Sequence, residues 1–257
     1  MGTLAVMADG PEALASLLAE ARHAIALTGA GMSTESGIPD FRGSDGVWQK
    51  VDPMEVASLS TFMSDPERFW QFHRPRIDML QSVEPNPAHH AVAELQRMDV
   101  LKQLVTQNID RLHSRAGSAD VIEVHGSLSR GECLRCRSMV TLEELVVRAD
   151  TAPDGVPRCT ECEFQMKSGV VMFGESLPAA EITAAYAAAE QADVILVVGS
   201  SLAVAPVSEL PAIVRGRGGR LAILTEGDTP YDAVADVRLR GKAGTQLTET
   251  VDALRLM

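Results

Sequence analysis

Four cysteines stand in two pairs, Cys133-x-x-Cys136 and Cys159-x-x-Cys162, with 22 residues between them. Each pair can turn two sulfurs toward one ion, and two pairs close a tetrahedral thiolate shell of the kind zinc takes. No open ligand position would remain, so such a site is structural; two unlinked thiol pairs or a redox pair is the other reading. A second stretch, "GAGMSTESGIPDFRG" (Gly29 to Gly43), follows the apolar run "HAIALT". Gly29 and Gly31 occupy the first two glycine positions of G-x-G-x-x-G, and Thr34 stands at the third. The glycine pair permits a tight turn and close approach to a pyrophosphate, and equally a purely structural turn. The acidic residue expected about 20 positions on is missing from a strand end. Asp52 and Glu55 fall in that range but inside a Trp-rich segment, which disfavours a hydride-transfer enzyme.

Three further stretches place polar side chains after apolar runs. "TQNIDRLH" offers Gln107, Asn108 and Asp110; "VIEVHG" ends on His125; "VVGSSLAVAP" offers Ser200 and Ser201. Ligands of parallel-sheet folds bind at the carboxyl ends of strands. A histidine there has a pKa suited to general-base work. The two serines suit phosphate or ribose contacts, or helix capping. His89, His90 and His113 lie on expected helices and read as structural.

These residues need a frame. "PEALASLLAEARH" has helical spacing with proline at its start, and "AIALT" is a strand. Residues 44 to 87, with Trp48 and Trp70, read as short helices and turns. "PAHHAVAELQRM" is a helix, "LKQLVTQN" a strand, "IDRLHSRAG" a short helix ended by Gly117, and "VIEVHG" a strand. Residues 130 to 168 hold the cysteines and the helix "LEELVVRA". The alternation then resumes with "GVVMF" as a strand, a helix at "PAAEITAAYAAAEQA" and the strand "DVILVVG". "PVSELPAIVRGR" reads as a helix interrupted by Pro211, followed by strands "RLAILT" and "VRLRG" and a last helix. Runs as uniformly apolar as "VILVV" suit strands covered on both faces, and strands alternating with helices imply a doubly wound α/β sheet. The Trp-rich and cysteine segments read as insertions that fold together beside it.

With 46% apolar residues in 257, the chain reads as soluble and globular, long for one ordinary domain. No apolar stretch approaches a membrane span. The first residues lack the layout of a secretory signal, and "GTLAV" lacks the Ser/Thr of a myristoylation site. The net charge of −12, from 35 acidic and 23 basic residues, argues against general nucleic-acid binding. These features lead to an expected cytoplasmic location.

Taken in order, "GAGMSTESGIPDFRG", "TQNIDRLH", "VHG", the two cysteine pairs, "VVMFGE", "GSSLAVAP" and "TEGDTPYD" resemble the sirtuins, the NAD-dependent protein-lysine deacylases, over nearly the whole chain. The short ends and the "GSS" and "DTPYD" stretches are similar to a bacterial catalytic core. The resemblance implies a Rossmann-like NAD domain (residues 1–43, 88–129 and 169–257) and a small domain. The latter would join a helical module (44–87) to a four-cysteine zinc ribbon (130–168) binding one structural Zn2+.

Roles follow from the same resemblance. Gly29, Ala30 and Gly31 cradle the pyrophosphate near Arg42; Ser33 and Thr34 line the cofactor loop; Phe41 covers the reacting sugar. Gln107 and Asn108 hold the nicotinamide ribose and a water, which puts Asn108 among the catalytic residues. Ile109 and Asp110 hold the nicotinamide amide. Gly199, Ser200 and Ser201 approach the adenosine phosphate, with further contacts from Thr225, Glu226, Lys242 and Ala243. Substrate would lie as an added strand between Val171, Phe173, Gly174 and Glu175 on one side and Val204 on the other. The resemblance makes His125 the general base on the ribose hydroxyls, and makes NAD a consumed co-substrate. The products are nicotinamide, 2′-O-acyl-ADP-ribose and free lysine. Expected partners are acyl-lysine proteins such as acetylated metabolic enzymes, with no nucleic acid and no membrane, and a monomeric state.

Three departures stand out. Thr225 replaces the usual asparagine at the adenosine ribose. Ser168 and Gly169 stand where a proline often precedes "VVMFGE". Sirtuins that remove succinyl or malonyl groups carry Tyr-x-x-Arg, where this chain has His73-x-x-Arg76, and favour Ala where it has Thr34. Arg76 therefore keeps acidic-acyl removal open as an alternative. Mono-ADP-ribosyl transfer is another, and a non-catalytic NAD- and zinc-binding scaffold a third.

Overall fold

The computed structural model describes residues 9–41, 43 and 46–257. "PEALASLLA" forms α1 (Pro11–Ala19) and buries Leu14, Leu17 and Leu18. β1 (Ala24–Thr28) follows, buried at all five positions, as a strand covered on both faces must be. Three helices come next: α2 (Pro53–Val56), α3 (Leu59–Ser64) and α4 (Pro66–Ser82). Each starts on proline or is capped by a side chain: Asp52, Ser58 and Asp65 accept from backbone N–H groups two or three residues on. α5 (Pro87–Arg97), β2 (Leu101–Thr106), α6 (Leu112–Arg115) and β3 (Val121–Glu123) return the chain to the first sheet. β4 (Gly126–Cys133), β5 (Met139–Thr141), α7 (Leu142–Thr151) and β6 (Met166–Val170) build a second sheet with its helix. α8 (Ala179–Gln191), β7 (Val194–Val198), α9 (Leu210–Gly216), β8 (Arg220–Leu224), β9 (Val237–Leu239) and α10 (Ala243–Arg255) complete the chain.

The main sheet runs β3-β2-β1-β7-β8-β9, all parallel. This is the doubly wound order, and its topological switch falls between β1 and β7, which pair from Ala24↔Val194 to Thr28↔Val198. One face packs on α1, α5 and α10, with Leu14, Leu18, Val92, Leu95, Leu247 and Val251 against Ala26, Leu104 and Leu196. The other packs on α8 and α9, with Ala185, Ala188, Leu210 and Val214 against Ile25, Leu27 and Val197.

A second core joins the helical and cysteine-bearing segments: Phe62, Phe69, Trp70, Ile77 and Leu80 meet Leu128, Cys133, Leu145, Val156, Cys159 and Met166. Trp70 Nε1 donates to the Met166 carbonyl at 3.1 Å, and Arg74 grips the Asp150 carboxylate at 2.7 and 2.8 Å. The two insertions thus form one small unit beside the sheet, around the antiparallel order β5-β4-β6.

Two local expectations change. "GVVMF" does not resume the parallel sheet. Its first residues end β6, which pairs antiparallel with β4. The next residues bond elsewhere: the Val171 N–H donates to the His125 carbonyl at 2.9 Å, and the Phe173 N–H to that of Ala57 at 3.0 Å. Apolar runs look alike in either sheet, so hydropathy could not separate them. Pro211 does not interrupt a helix. It stands in the first turn of α9, after a 3-10 turn at Val207–Glu209, where its missing N–H leaves no bond unmade.

Candidate functional site

The loops after β1 and β7 meet backbone to backbone at the switch. The Gly29 N–H donates to the Val198 carbonyl at 2.9 Å and the Gly31 N–H to that of Gly199 at 2.8 Å. A Cβ on Gly29 would come within 2.9 Å of Ser200, and one on Gly31 within 2.9 Å of Gly199 Cα. Gly199 itself has φ +62, and a Cβ there would lie 2.2 Å from the Met32 nitrogen. The glycines are therefore needed to let two chains touch, a stronger demand than a turn. Ala30 starts a 3-10 turn between them.

Beneath that loop lies a buried polar network. Ser33 donates to Asp110 Oδ2 at 2.7 Å and accepts from Asn108 Nδ2 at 3.2 Å. The same amide donates to the Gly29 carbonyl at 3.0 Å. The other Asp110 oxygen accepts from the Leu112 N–H at 2.9 Å. Burial pushes the Asp110 carboxyl pKa up, against the pull of these two donors. Gln107 Nε2 donates to Ser200 Oγ at 2.7 Å, which links the strand ends of β2 and β7. Ser201, by contrast, is exposed and stays outside this network. Ile109 packs on the small unit's core, and its carbonyl accepts from the Leu128 N–H at 3.1 Å.

His125 occupies the turn between β3 and β4. Its Nδ1 lies 3.0 Å from the Gln107 carbonyl. A carbonyl only accepts, so Nδ1 carries the proton of the neutral ring and Nε2 is left with its lone pair. The His125 carbonyl meanwhile accepts from the Val171 N–H, which ties this turn to the segment after β6.

That segment is anchored along its length. The Phe173 carbonyl accepts from Leu59 at 2.9 Å, which completes a parallel bridge with the helical unit. The Met172 N–H donates to Glu175 Oε2 at 3.0 Å. Both main-chain groups of Phe173 are therefore taken within the protein. Val204 is half-buried in the facing loop, and its carbonyl accepts from the Ser208 N–H at 3.0 Å. Phe41 stacks on Trp48 at 5.1 Å, Trp48 on Phe72 at 6.1 Å, and Trp48 meets Phe173 edge-on at 6.0 Å. Arg76 lies with its guanidinium 3.4 Å above the Phe72 ring and donates to the Phe72 carbonyl at 2.8 Å. Burial lowers its pKa. His73 stacks on Phe69 at 4.1 Å, and burial pulls its pKa down to about 3. Arg42 lies outside the described residues.

The late-chain residues lie after β8 and at the start of α10. Thr225 directly follows β8, with its carbonyl held by Arg238 Nη1 at 2.9 Å. Glu226 is exposed, and its carbonyl accepts from Arg240. Lys242 stands at the N-cap position of α10, and Ala243 opens the helix, buried. Thr34 is exposed and donates to the Gly31 carbonyl at 3.0 Å.

Several supporting residues carried no local signal. Glu35 accepts from the Gly244 N–H at 2.7 Å, tying the loop to the start of α10. His89 Nδ1 accepts from the Asn86 N–H, so its Nε2–H faces Ser33 at 3.4 Å. Thr28 donates to Thr106 at 2.8 Å and so must accept from His113 Nε2 at 2.9 Å. Burial pulls His89 to about 4 and His113 to about 3, so both are neutral supports. They remain structural, as expected, but what they support is the loop itself.

The four cysteine sulfurs lie within 4.8 Å of one another, with Cys133–Cys162 and Cys136–Cys159 each at 3.5 Å. Sulfurs around a tetrahedral zinc at about 2.3 Å stand about 3.8 Å apart, so the four thiols are arranged to bind one zinc ion. Cys133 and Cys159 are buried in the small unit's core.

Comparison with known proteins adds to this geometry. The model of the Sir2 family matches residues 29–206. The chain is 45% identical over 250 residues to NAD-dependent protein deacylase 2 of the archaeon Archaeoglobus fulgidus, covering 97% of this chain and 98% of that one. It is similar to a solved Sir2 homologue–NAD complex, with 42% identity, a TM-score of 0.87, and coverage of 100% of this chain and 97% of the other. A structure of Sir2Tm bound to a propionylated peptide superposes with a TM-score of 0.85 at 36% identity, over 93% of this chain and 96% of that one. The relative's archaeal source leaves the expected bacterial type not borne out.

Proposed function

The chain belongs to the Sir2 family, and on that premise we propose that it is an NAD-dependent protein-lysine deacylase whose general base is His125. The observation that carries this reading is the His125 tautomer: Nδ1 is committed to the Gln107 carbonyl, so Nε2 is the ring atom able to take a proton. NAD supplies the ADP-ribosyl group that accepts the acyl chain, and leaves as nicotinamide and 2′-O-acyl-ADP-ribose.

In this proposal the residues at the switch hold the co-substrate. Gly29, Ala30, Gly31, Gly199, Ser200 and Ser201 flank the phosphates, with Arg42, Ser33 and Thr34 nearby. Thr225, Glu226, Lys242 and Ala243 serve the adenosine end. The fit lies in the donor set: Asn108, Gln107 and Asp110 are oriented by their own hydrogen bonds before any ligand arrives. Asp110 accepts the nicotinamide amide beside Ile109, and its two fixed donors keep it from rotating away. Phe41, stacked on Trp48, shields the reacting sugar from water. The acyl-lysine segment adds as a strand between Gly174–Glu175 and Val204, beside Val171 and Phe173.

Arg76 shapes the choice of acyl group. Its fork lies on the Phe72 ring and carbonyl, which favours neutral acyl chains over succinyl or malonyl groups. Acetylated metabolic enzymes as substrates, a monomeric state and a cytoplasmic location belong to the same proposal. No helix among the described residues is long and apolar enough to cross a membrane.

The test uses an acetyl-lysine peptide, NAD and the zinc-loaded protein. His125→Ala should lower deacylation by about 10²–10⁴-fold with melting temperature and zinc content unchanged. Deacylation at the wild-type rate would remove His125 from the role. Absence of nicotinamide release by the wild type would replace the enzyme with a scaffold, and label from NAD retained on protein would replace it with a mono-ADP-ribosyltransferase.

A further inference from the structure

Lys167 is buried, 2% exposed, one of few buried charged side chains among the described residues. Its ammonium has three protons and four acceptors close by: the Ser168 carbonyl at 2.9 Å, the Val170 carbonyl at 2.8 Å, Glu132 Oε1 at 2.9 Å and Glu175 Oε2 at 3.4 Å. Burying a charge costs several kcal/mol unless partners of this kind surround it. The acceptors come from two places. Glu132 sits on β4, next to Cys133 and cross-strand from Lys167. Val170 and Glu175 lie at the two ends of the segment on which the added substrate strand depends. Glu175 in turn holds the Met172 N–H at 3.0 Å. Val170 pairs with Gly126 in the β4–β6 ladder, one residue from His125.

We propose that Lys167 is a positioning residue through which the cysteine-bearing sheet fixes the path of residues 170–175 and so sets affinity for the acyl-lysine peptide. The ammonium draws two carbonyls and the Glu175 carboxylate toward one point. Residues 170 to 175 are thereby bent into a short arc with Gly174, at φ +82, near its far end. The arc is fixed on its inner side, because the N–H groups of Val171 and Phe173 are already bonded to His125 and Ala57, and Gly174 and Glu175 form its end toward the peptide. Glu132 supplies the fixed end of the strap. The inference rests on the reading of Gly174–Glu175 and Val204 as the peptide groove.

The measurements are KM for peptide, KM for NAD, kcat, melting temperature and zinc per chain. Lys167→Met and Glu132→Ala should each raise the peptide KM about fivefold or more, with kcat and the NAD KM within about twofold of wild type and one zinc retained; such a split marks lost substrate binding rather than lost chemistry. Lys167→Arg, which keeps charge and donors, should recover most of the loss. Val204→Asp serves as the control on the groove and should also raise the peptide KM. A raised KM for Val204→Asp with a wild-type KM for Glu132→Ala would leave the groove standing and overturn the role of Lys167, even if Lys167→Met failed to fold. No change for Val204→Asp would overturn the groove, and the proposal with it. Equal losses in kcat and NAD affinity would also overturn it, by showing a merely structural residue.

Discussion

Where the loops after β1 and β7 meet, carbonyls and N–H groups touch directly, and the space between them excludes even a methyl group. In the small unit, position is set instead by side chains: stacked rings, a tryptophan N–H on a strand carbonyl, a lysine among four acceptors and four gathered thiols. The first region is specified by what is missing from its residues. The second is specified by what its residues carry, including sulfurs suited to an ion. The difference predicts opposite weaknesses. The switch should fail on added atoms and ignore metal; the small unit should tolerate shape changes and fail without zinc.

Zinc removal should have the largest effect. Cys133 and Cys159 are part of the apolar core formed with Leu145, Val156 and Met166. Without the ion, the gathered thiolates at the edge of that core would repel one another with no positive charge to offset them. Stripping the metal with a strong chelator should raise amide exchange in β4, β5 and β6 by about 100-fold or more, while β1 and β7 keep their protection. Equal loss of protection in both regions would erase the distinction drawn here. Peptide deacylation should disappear with the small unit, because residues 171–175 hang from β6.

Gly199→Ala reverses the pattern. The new methyl would sit 2.2 Å from the Met32 nitrogen and 2.5 Å from the Gly31 carbonyl carbon, on a backbone with φ +62. Neither loop can yield without breaking the Gly31–Gly199 bond. The expected cost is about 2–4 kcal/mol of stability, read as a lower denaturation midpoint, with NAD affinity reduced and zinc content unchanged. An alanine variant with wild-type NAD affinity would show that the loops have slack the close approach denies.

The same contrast explains what could be read from the chain alone. β1 and β7 were legible because strands covered on both faces must be apolar throughout, and Gly29, Gly31 and the cysteine pairs because their spacing is itself the constraint. The place of "GVVMF" was not legible, because buried strands of either sheet look alike. Glu35, Lys167 and Arg238 escaped for another reason. Glu35 meets Gly244 across 209 residues of sequence, and nothing local to a glutamate announces that. Lys167 reads as an ordinary surface lysine until β4 brings Glu132 beside it. Arg238 gains its meaning from the carbonyls of Thr225 and Gly227. The loop carrying Thr225 is thus ordered by a buried arginine.

The smallest effect is the sharpest test of why the switch needs its glycines. Arg111, at the start of α6, has φ +63, nearly the same as Gly199. Yet Arg111 is exposed, and its side chain lines a cavity of about 220 Å³ with Gln81, Arg115 and Leu128. Its left-handed backbone costs about 1 kcal/mol for a residue with a Cβ, and no neighbour is displaced. Glycine there would relieve that cost and surrender part of it to the freer unfolded chain, for a net gain of about 0.5 kcal/mol. Arg111→Gly should therefore raise the melting temperature by about 1–2 °C and leave deacylation near wild type. If it destabilises instead, the guanidinium holds the cavity walls together and the left-handed turn is an accepted cost of placing it. Two residues with one dihedral angle would then differ for the same underlying reason, that neighbours rather than φ decide which side chain is allowed.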